Sequence, residues 1–197
     1  MVRFPKSSAR NEVKKTMEMS LSNCLAKTCN EDQPGCGVLT HLVYVGKIAE
    51  ALWGRLAPDA QRLLPRDVVV LLAALHDVGK ISPGFQAKIW QNIAEERRVD
   101  EVRRFLETTG EGAERQHTKI GYSALKKSFG KWAEAVGMHH GELCAQGADA
   151  VGWQGLRDEA IGKITEIFGA IPTNIAKPTP EQIELAAGFI VVADWLG

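Results

Sequence analysis

Five histidines and two aspartates give this 197-residue chain its chemical interest. His76 and Asp77 follow directly on an apolar run, residues 68–75, within LLAALHDVGK, and Lys80 stands three residues further on. His41 lies four residues before Val45, on the edge of an apolar helical stripe. His117 heads a helical segment, and His139 and His140 follow Gly137 and Met138 at the end of a short one. Near the C-terminus Ile183, Ala187 and Ile190 step by four and three, and the next position on that stripe is Asp194.

Taken singly, each of these has an ordinary explanation. Aspartate is almost never fully buried unless paired or metal-bound, and a salt bridge to an arginine would satisfy Asp194. A histidine on a core stripe is commonly a satisfied core or cap residue, and one at a helix end complements the dipole. Lys80 has the same explanation at a helix C-terminus. Together they point elsewhere, because all five histidines occupy core-facing or helix-end positions able to converge on one centre. Imidazole and carboxylate suit Mn, Fe, Co, Ni or Zn, and five histidines argue against Mg. Seven ligands (His41, His76, Asp77, His117, His139, His140 and Asp194) are too many for one ion. Two divalent transition-metal ions a few Å apart, bridged by one carboxylate, would use them all. That arrangement serves displacement at phosphorus, with Lys80 a further cation beside a phosphate oxygen.

The elements that must position these residues read as mostly α. Residues 39–56 form an amphipathic pattern through Leu42, Val45, Ile48, Ala49, Leu52 and Leu56. Residues 67–75 suit either a buried parallel strand or a buried helix, with Gly79 as a helix C-cap. Ser82 and Pro83 open a helix, and EERRVDEVRRFLE continues in helical style until Gly110 and Gly112. Helices follow over 117–130, 132–138 and 156–168, a glycine-rich loop over 141–155, and a linker over 170–180. Thr179 to Gln182 fits a capping box before the last helix. No alternating strand and no internal repeat is legible.

Composition is that of one soluble domain, with 45% apolar and 24% charged residues. No apolar run is long enough for a membrane span, and the basic N-terminus lacks the apolar core of a secretory signal, so the cytoplasm is expected. Cys24, Cys29, Cys36 and Cys144 form no C-x-x-C pair and read as reduced thiols rather than a zinc knuckle. Twenty-four basic and 24 acidic side chains leave a formal charge of zero. A domain gripping nucleic acid unaided usually carries a basic excess, so any such role is local or helped by a partner.

The ordered set of ligands resembles the HD superfamily of metal-dependent phosphohydrolases. HDVGKISPGFQ, MHHGEL and VVADWLG, with LAKT at 25–28 and THL at 40–42, resemble more closely the HD nuclease domain of the type I CRISPR-associated helicase-nuclease. The resemblance covers about residues 23–197; residues 1–22 match nothing in it and are read as an N-terminal extension, a candidate for disorder. It implies an all-α, single-domain fold with a dinuclear metal site in the helix core, which decides 67–75 in favour of helix. It implies that His41, His76, Asp77 and Asp194 hold one metal, that Asp77 bridges, and that His117, His139 and His140 complete the second site. Asp77 and Lys80 are the implied catalytic residues, while Phe85 and Gln86 match the family pattern as packing residues. The implied activity is metal-dependent cleavage of single-stranded DNA during CRISPR interference. The implied partners are a superfamily 2 helicase domain or subunit and, through it, a guide-RNA surveillance complex, with no membrane. Relatives commonly continue beyond the position of Gly197 with a serine and then the helicase, so excision from a longer protein is expected over a standalone subunit. Two other readings compete: an HD phosphohydrolase of nucleotides or cyclic nucleotides, and a non-catalytic HD assembly module.

Overall fold

The computed structural model describes residues 19–29, 32–109, 116–141 and 153–197. Cys144 and most of the expected glycine-rich loop lie outside the described residues, as does most of the N-terminal extension. Among the described residues are nine α-helices: α1 (Val38–Trp53), α2 (Pro58–Leu63), α3 (Arg66–Leu75), α4 (Pro83–Gln91), α5 (Asp100–Thr108), α6 (His117–Phe129), α7 (Glu134–Met138), α8 (Gln154–Phe168) and α9 (Pro180–Leu196). The expected all-α architecture is the one observed. No single helix among the described residues is long and apolar enough to cross a membrane.

α3 is the axis of the domain. Every residue from Val68 to Leu75 is buried, with α1, α7, α8 and α9 packed around it. A helix enclosed on all sides has no reason to alternate polar and apolar faces, which is why its pattern did not separate helix from strand. Its three valines disfavour helix by about 0.5 kcal/mol each relative to alanine. Burying each valine or leucine side chain contributes about 1.5–3 kcal/mol, so packing decides the conformation. α1 crosses α3 closely at Gly46, where an added Cβ would lie 2.8 Å from the Cβ of Ala74.

Several local expectations are corrected. Gly79 is not a left-handed C-cap: α3 ends at Leu75, and Gly79 sits inside a 3-10 turn, Val78–Lys80. Its lack of a side chain admits the start of α6, because a Cβ there would lie 1.9 Å from the His117 carbonyl oxygen. The charged stretch after α4 is not one helix. A 3-10 turn (Glu95–Arg97) precedes α5, and Arg98 donates from Nε to the Ile93 carbonyl at 2.9 Å, tying down the break. Ser82 and Pro83 do open α4, but the buried Ser82 hydroxyl makes no capping bond. The segment over 132–138 begins as a 3-10 turn, Gly130–Ala133, before α7. α2 was not anticipated, nor was an antiparallel pair of two-residue strands, β1 (Thr28–Cys29) and β2 (Gln33–Pro34). Two residues are too few to print an alternation. The capping box at Thr179 and Gln182 is present in both directions. Met19 and Leu21, within the expected extension, are buried in the core.

Candidate metal centre

Five separate elements deliver the seven ligand candidates to one place. His41 comes from α1, His76 and Asp77 from the end of α3, and His117 from the first position of α6. His139 and His140 follow α7, and Asp194 lies in the last turn of α9. They fall into two groups, His41, His76, Asp77 and Asp194 in one and His117, His139 and His140 in the other. Within each group the possible ligand atoms all lie within 4.8 Å of one another.

Asp77 joins the groups through its two oxygens. Oδ2 lies 3.2 Å from His41 Nε2, 3.3 Å from His76 Nε2 and 2.5 Å from Lys80 Nζ. Oδ1 lies 3.2 Å from His117 Nε2 and 3.6 Å from His139 Nε2. Asp194 Oδ1 closes the first group at 3.2 Å from His41 Nε2 and 3.3 Å from His76 Nε2. In the second, His117 Nε2 and His140 Nε2 are 3.0 Å apart. His76 and Asp77 form a buried floor, while His140 is exposed and the Asp194 side chain is 27% exposed, so the cluster opens on one side.

The ring orientations fit a cation. His76 Nδ1 lies 2.8 Å from the Ala73 carbonyl and His139 Nδ1 lies 2.5 Å from the Val136 carbonyl. A carbonyl can only accept, so each Nδ1 carries the proton and each Nε2 turns a lone pair into the cluster. There His41 Nε2, His76 Nε2, His139 Nε2 and Asp77 Oδ1 are buried without a hydrogen-bond partner. A neutral ring with its lone pair on a carboxylate oxygen is repulsive. The contact becomes favourable with a second ring proton or with a metal ion between the two.

Electrostatics divide along the same line. Burial opposes charge on His76, but Asp77 and Asp194 outweigh it and raise its pKa to about 9. His41 is likewise opposed by burial and raised by Asp194 and Asp77. The close His41 and His76 rings hold Asp194 far below the usual carboxylate range. Burial acts to raise Asp77, yet His76 and the other histidines hold it well below its ordinary value. In the second group burial lowers His117, and burial with His139 and His117 pushes His140 down to about 4, leaving neutral imidazoles.

The family whose model matches the chain is described as Cas3, HD domain, over residues 25–197. The chain belongs to the Cas3 HD domain family. That membership makes it a CRISPR-associated domain of the metal-dependent phosphohydrolase type. A solved structure described as "Crystal structure of CRISPR-associated protein" has a similar fold, with a TM-score of 0.65 and 24% sequence identity. The likeness covers 90% of this chain and 23% of that one, so this Cas3 HD domain spans about a quarter of the length of that structure. No curated protein matches.

Three supporting residues of the Cas3 HD domain were not assigned such roles from sequence. The fully buried Gln86 exchanges bonds with the Leu25 backbone, both 2.9 Å, and donates to the Lys80 carbonyl at 2.9 Å. It therefore ties the turn bearing Lys80 to the N-terminal segment. Arg157, also buried, donates to the Ile81 carbonyl at 2.9 Å. Phe85 meets the His117 ring edge-on, centroids 5.3 Å apart, and lies 5.6 Å from Lys80 Nζ. A signal was available for two of them. Gln86 shares a helical stripe with Trp90, and Arg157 one with Ala160 and Ile164, polar residues where apolar ones would sit.

Proposed function

We propose that this domain is a metal-dependent nuclease that degrades single-stranded DNA in CRISPR interference. The observation that carries the reading is the division of Asp77, one oxygen facing His41 and His76 and the other facing His117 and His139. A carboxylate so placed would be a ligand to a cation in either group. In this reading His41, His76, Asp77 and Asp194 hold one divalent ion, and Asp77, His117, His139 and His140 hold the other, from among Mn, Fe, Co, Ni and Zn. Bound there, such a pair supplies a nucleophilic water near neutral pH and offsets charge developing on the phosphodiester.

The chain's own residues do the rest. The carbonyls of Ala73 and Val136 fix the His76 and His139 rings, so ligand geometry is set before anything binds. Lys80 reaches the open side with its ammonium on Asp77 and offers a donor to a non-bridging phosphate oxygen. Gln86 holds the Lys80 backbone, and the Phe85 ring flanks both Lys80 and His117. The open side suits a polymer better than a closed base pocket does. Zero formal charge agrees with weak grip by the domain alone, a superfamily 2 helicase feeding the strand after recruitment to a guide-RNA surveillance complex in the cytoplasm. Residues 23–197 act as the nuclease unit, with Met19 and Leu21 of the preceding segment packed into its core.

The test is hydrolysis of single-stranded DNA, duplex DNA, RNA and a nucleotide panel with Mn, Co, Ni or Mg, with Asp77→Ala as the control. The expected result is cleavage of single-stranded DNA with a transition metal and none by Asp77→Ala. Hydrolysis of nucleotides alone would replace this reading with a nucleotide phosphohydrolase. Hydrolysis of nothing, without bound metal, would leave an assembly module.

A further inference from the structure

Although the formal charge of the chain is zero, its charges are segregated. Residues 116–133 and 169–180 contain five lysines and no acidic residue. The two segments meet where Trp132 Nε1 donates to the Ala176 carbonyl at 2.9 Å, 44 positions away. Around that contact lies a cavity of about 390 Å³, lined by Lys131 and Lys177 together with the hydroxyl residues Ser128 and Thr173. Lys126 and Lys127 are exposed in the last turn of α6, Lys126 lying 5.4 Å from the Tyr122 ring, and Lys119 stands two turns earlier.

None of these five ammonium groups has a carboxylate within 4.0 Å among the described residues. Lys47, Arg66 and Arg103, by contrast, each have one. Like charges gathered without counter-charge repel one another, and that repulsion is relieved when an anion arrives. Several positions along a helix, with a cleft at its end, match an extended polyanion better than a single phosphate.

We propose that this lysine face docks the phosphate backbone of a single strand, holding it beyond the phosphodiester that reacts. The inference rests on the nuclease reading, because α6 connects the two places. His117 occupies its first position and Lys127 lies ten residues on, about 15 Å along the axis. None of the lysines belongs to the cluster, so they grip the strand and leave the chemistry to it. Such a grip is electrostatic and indifferent to sequence, and each phosphate contact contributes about 0.7 to the slope of log affinity against log salt.

The test uses the full metal-loaded chain and a fluorescein-labelled, phosphorothioate-linked 12-mer of thymidine, which keeps its charge and resists hydrolysis. Fluorescence anisotropy from 50 to 200 mM salt gives affinity and salt slope. For Lys126→Gln, Lys127→Gln, Lys131→Gln and Lys177→Gln combined, affinity at the lowest salt falls about tenfold or more and the slope falls by about 3. The two double variants, Lys126→Gln with Lys127→Gln and Lys131→Gln with Lys177→Gln, each lose about half that slope. Metal content and melting temperature identify any variant whose fold is damaged, and the double variants then carry the test. Folded variants that bind with the wild-type slope, or a wild-type chain that binds no strand, overturn the proposal. If wild type cleaves DNA while the variants bind it normally, the surface falls and the nuclease reading stands. Lysine-dependent binding by a chain that cleaves no DNA leaves the surface and removes the nuclease reading.

Discussion

Lys80 offers an ammonium where the metal-ligand candidates offer imidazoles and carboxylates, so their substitutions separate. Lys80 Nζ lies 2.5 Å from Asp77 Oδ2, yet its side chain is 16% exposed and reaches the open side. Lys80→Met removes a phosphate donor and leaves every imidazole and carboxylate. Bound metal should remain, while strand cleavage falls on the order of 10²-fold, as for other lost transition-state donors. Elemental analysis beside a single-turnover assay checks both parts. Cys24 offers a residue-scale test away from the centre. It is fully buried, and burial first, with Glu101 and Glu159 behind it, pushes its thiol up to about 12. Cys29 is exposed. Alkylation of the native protein near pH 8 should mark Cys29 and spare Cys24, as read by peptide mapping. Above the ordinary thiol value of 9.0 the unfolded chain releases a proton that the folded chain keeps, so stability falls from there toward about 12. The stability margin of wild type over Cys24→Ala should therefore narrow across that window.

At the scale of elements, the 77–82 turn is held from three sides: α6 through Gly79, α4 through Gln86, and α8 through Arg157. Gly79→Ala places a Cβ 1.9 Å from the His117 carbonyl oxygen and 2.5 Å from the Gly121 nitrogen. Backbone cannot yield there as a flexible side chain would. The expected cost is about 3 kcal/mol by urea unfolding, at the upper end for overpacking. The displaced start of α6 should take His117 with it and weaken metal binding in the second group. The elements differ in how far the sequence reveals them. α1, α6 and α9 carry their stripes openly, and Asp194 announces itself by interrupting one. α3 does not, because burial on every side erases the period. The break between α4 and α5 is tied down by Arg98 reaching back to the Ile93 carbonyl, a side-chain-to-backbone contact that no apolar periodicity encodes. Gly79 was noticed for the wrong reason: its value lies in a neighbour 38 positions away, which a window on the sequence cannot contain. The seven residues that converge were legible because histidines are few and their positions unusual. Gln86 and Arg157 interrupt apolar stripes, but their roles were not legible, since their partners are backbone groups that any residue supplies.

For the whole molecule, an ion held by the cluster would couple metal to folding. Elements far apart in sequence, from His41 to Asp194, converge on it, and its floor is buried and short of hydrogen bonds. An ion binding the folded chain at 100 times its dissociation constant stabilises it by about 2.7 kcal/mol. At about 2–4 °C per kcal/mol for a chain of this size, chelation of two such ions should lower the melting temperature by about 10–20 °C. Calorimetry before and after chelation, and after metal is restored, reads that shift. The most direct measurement of the central claim is the metal stoichiometry of the chain and of two variants. After reconstitution with Mn or Co and removal of free ions, wild type should retain two per chain. His140→Ala should retain one, since it removes a ligand of the second group alone. Asp77→Ala should retain close to none, because a single residue faces both groups. One ion or none in wild type, or an unchanged pair in Asp77→Ala, would contradict the bridged centre.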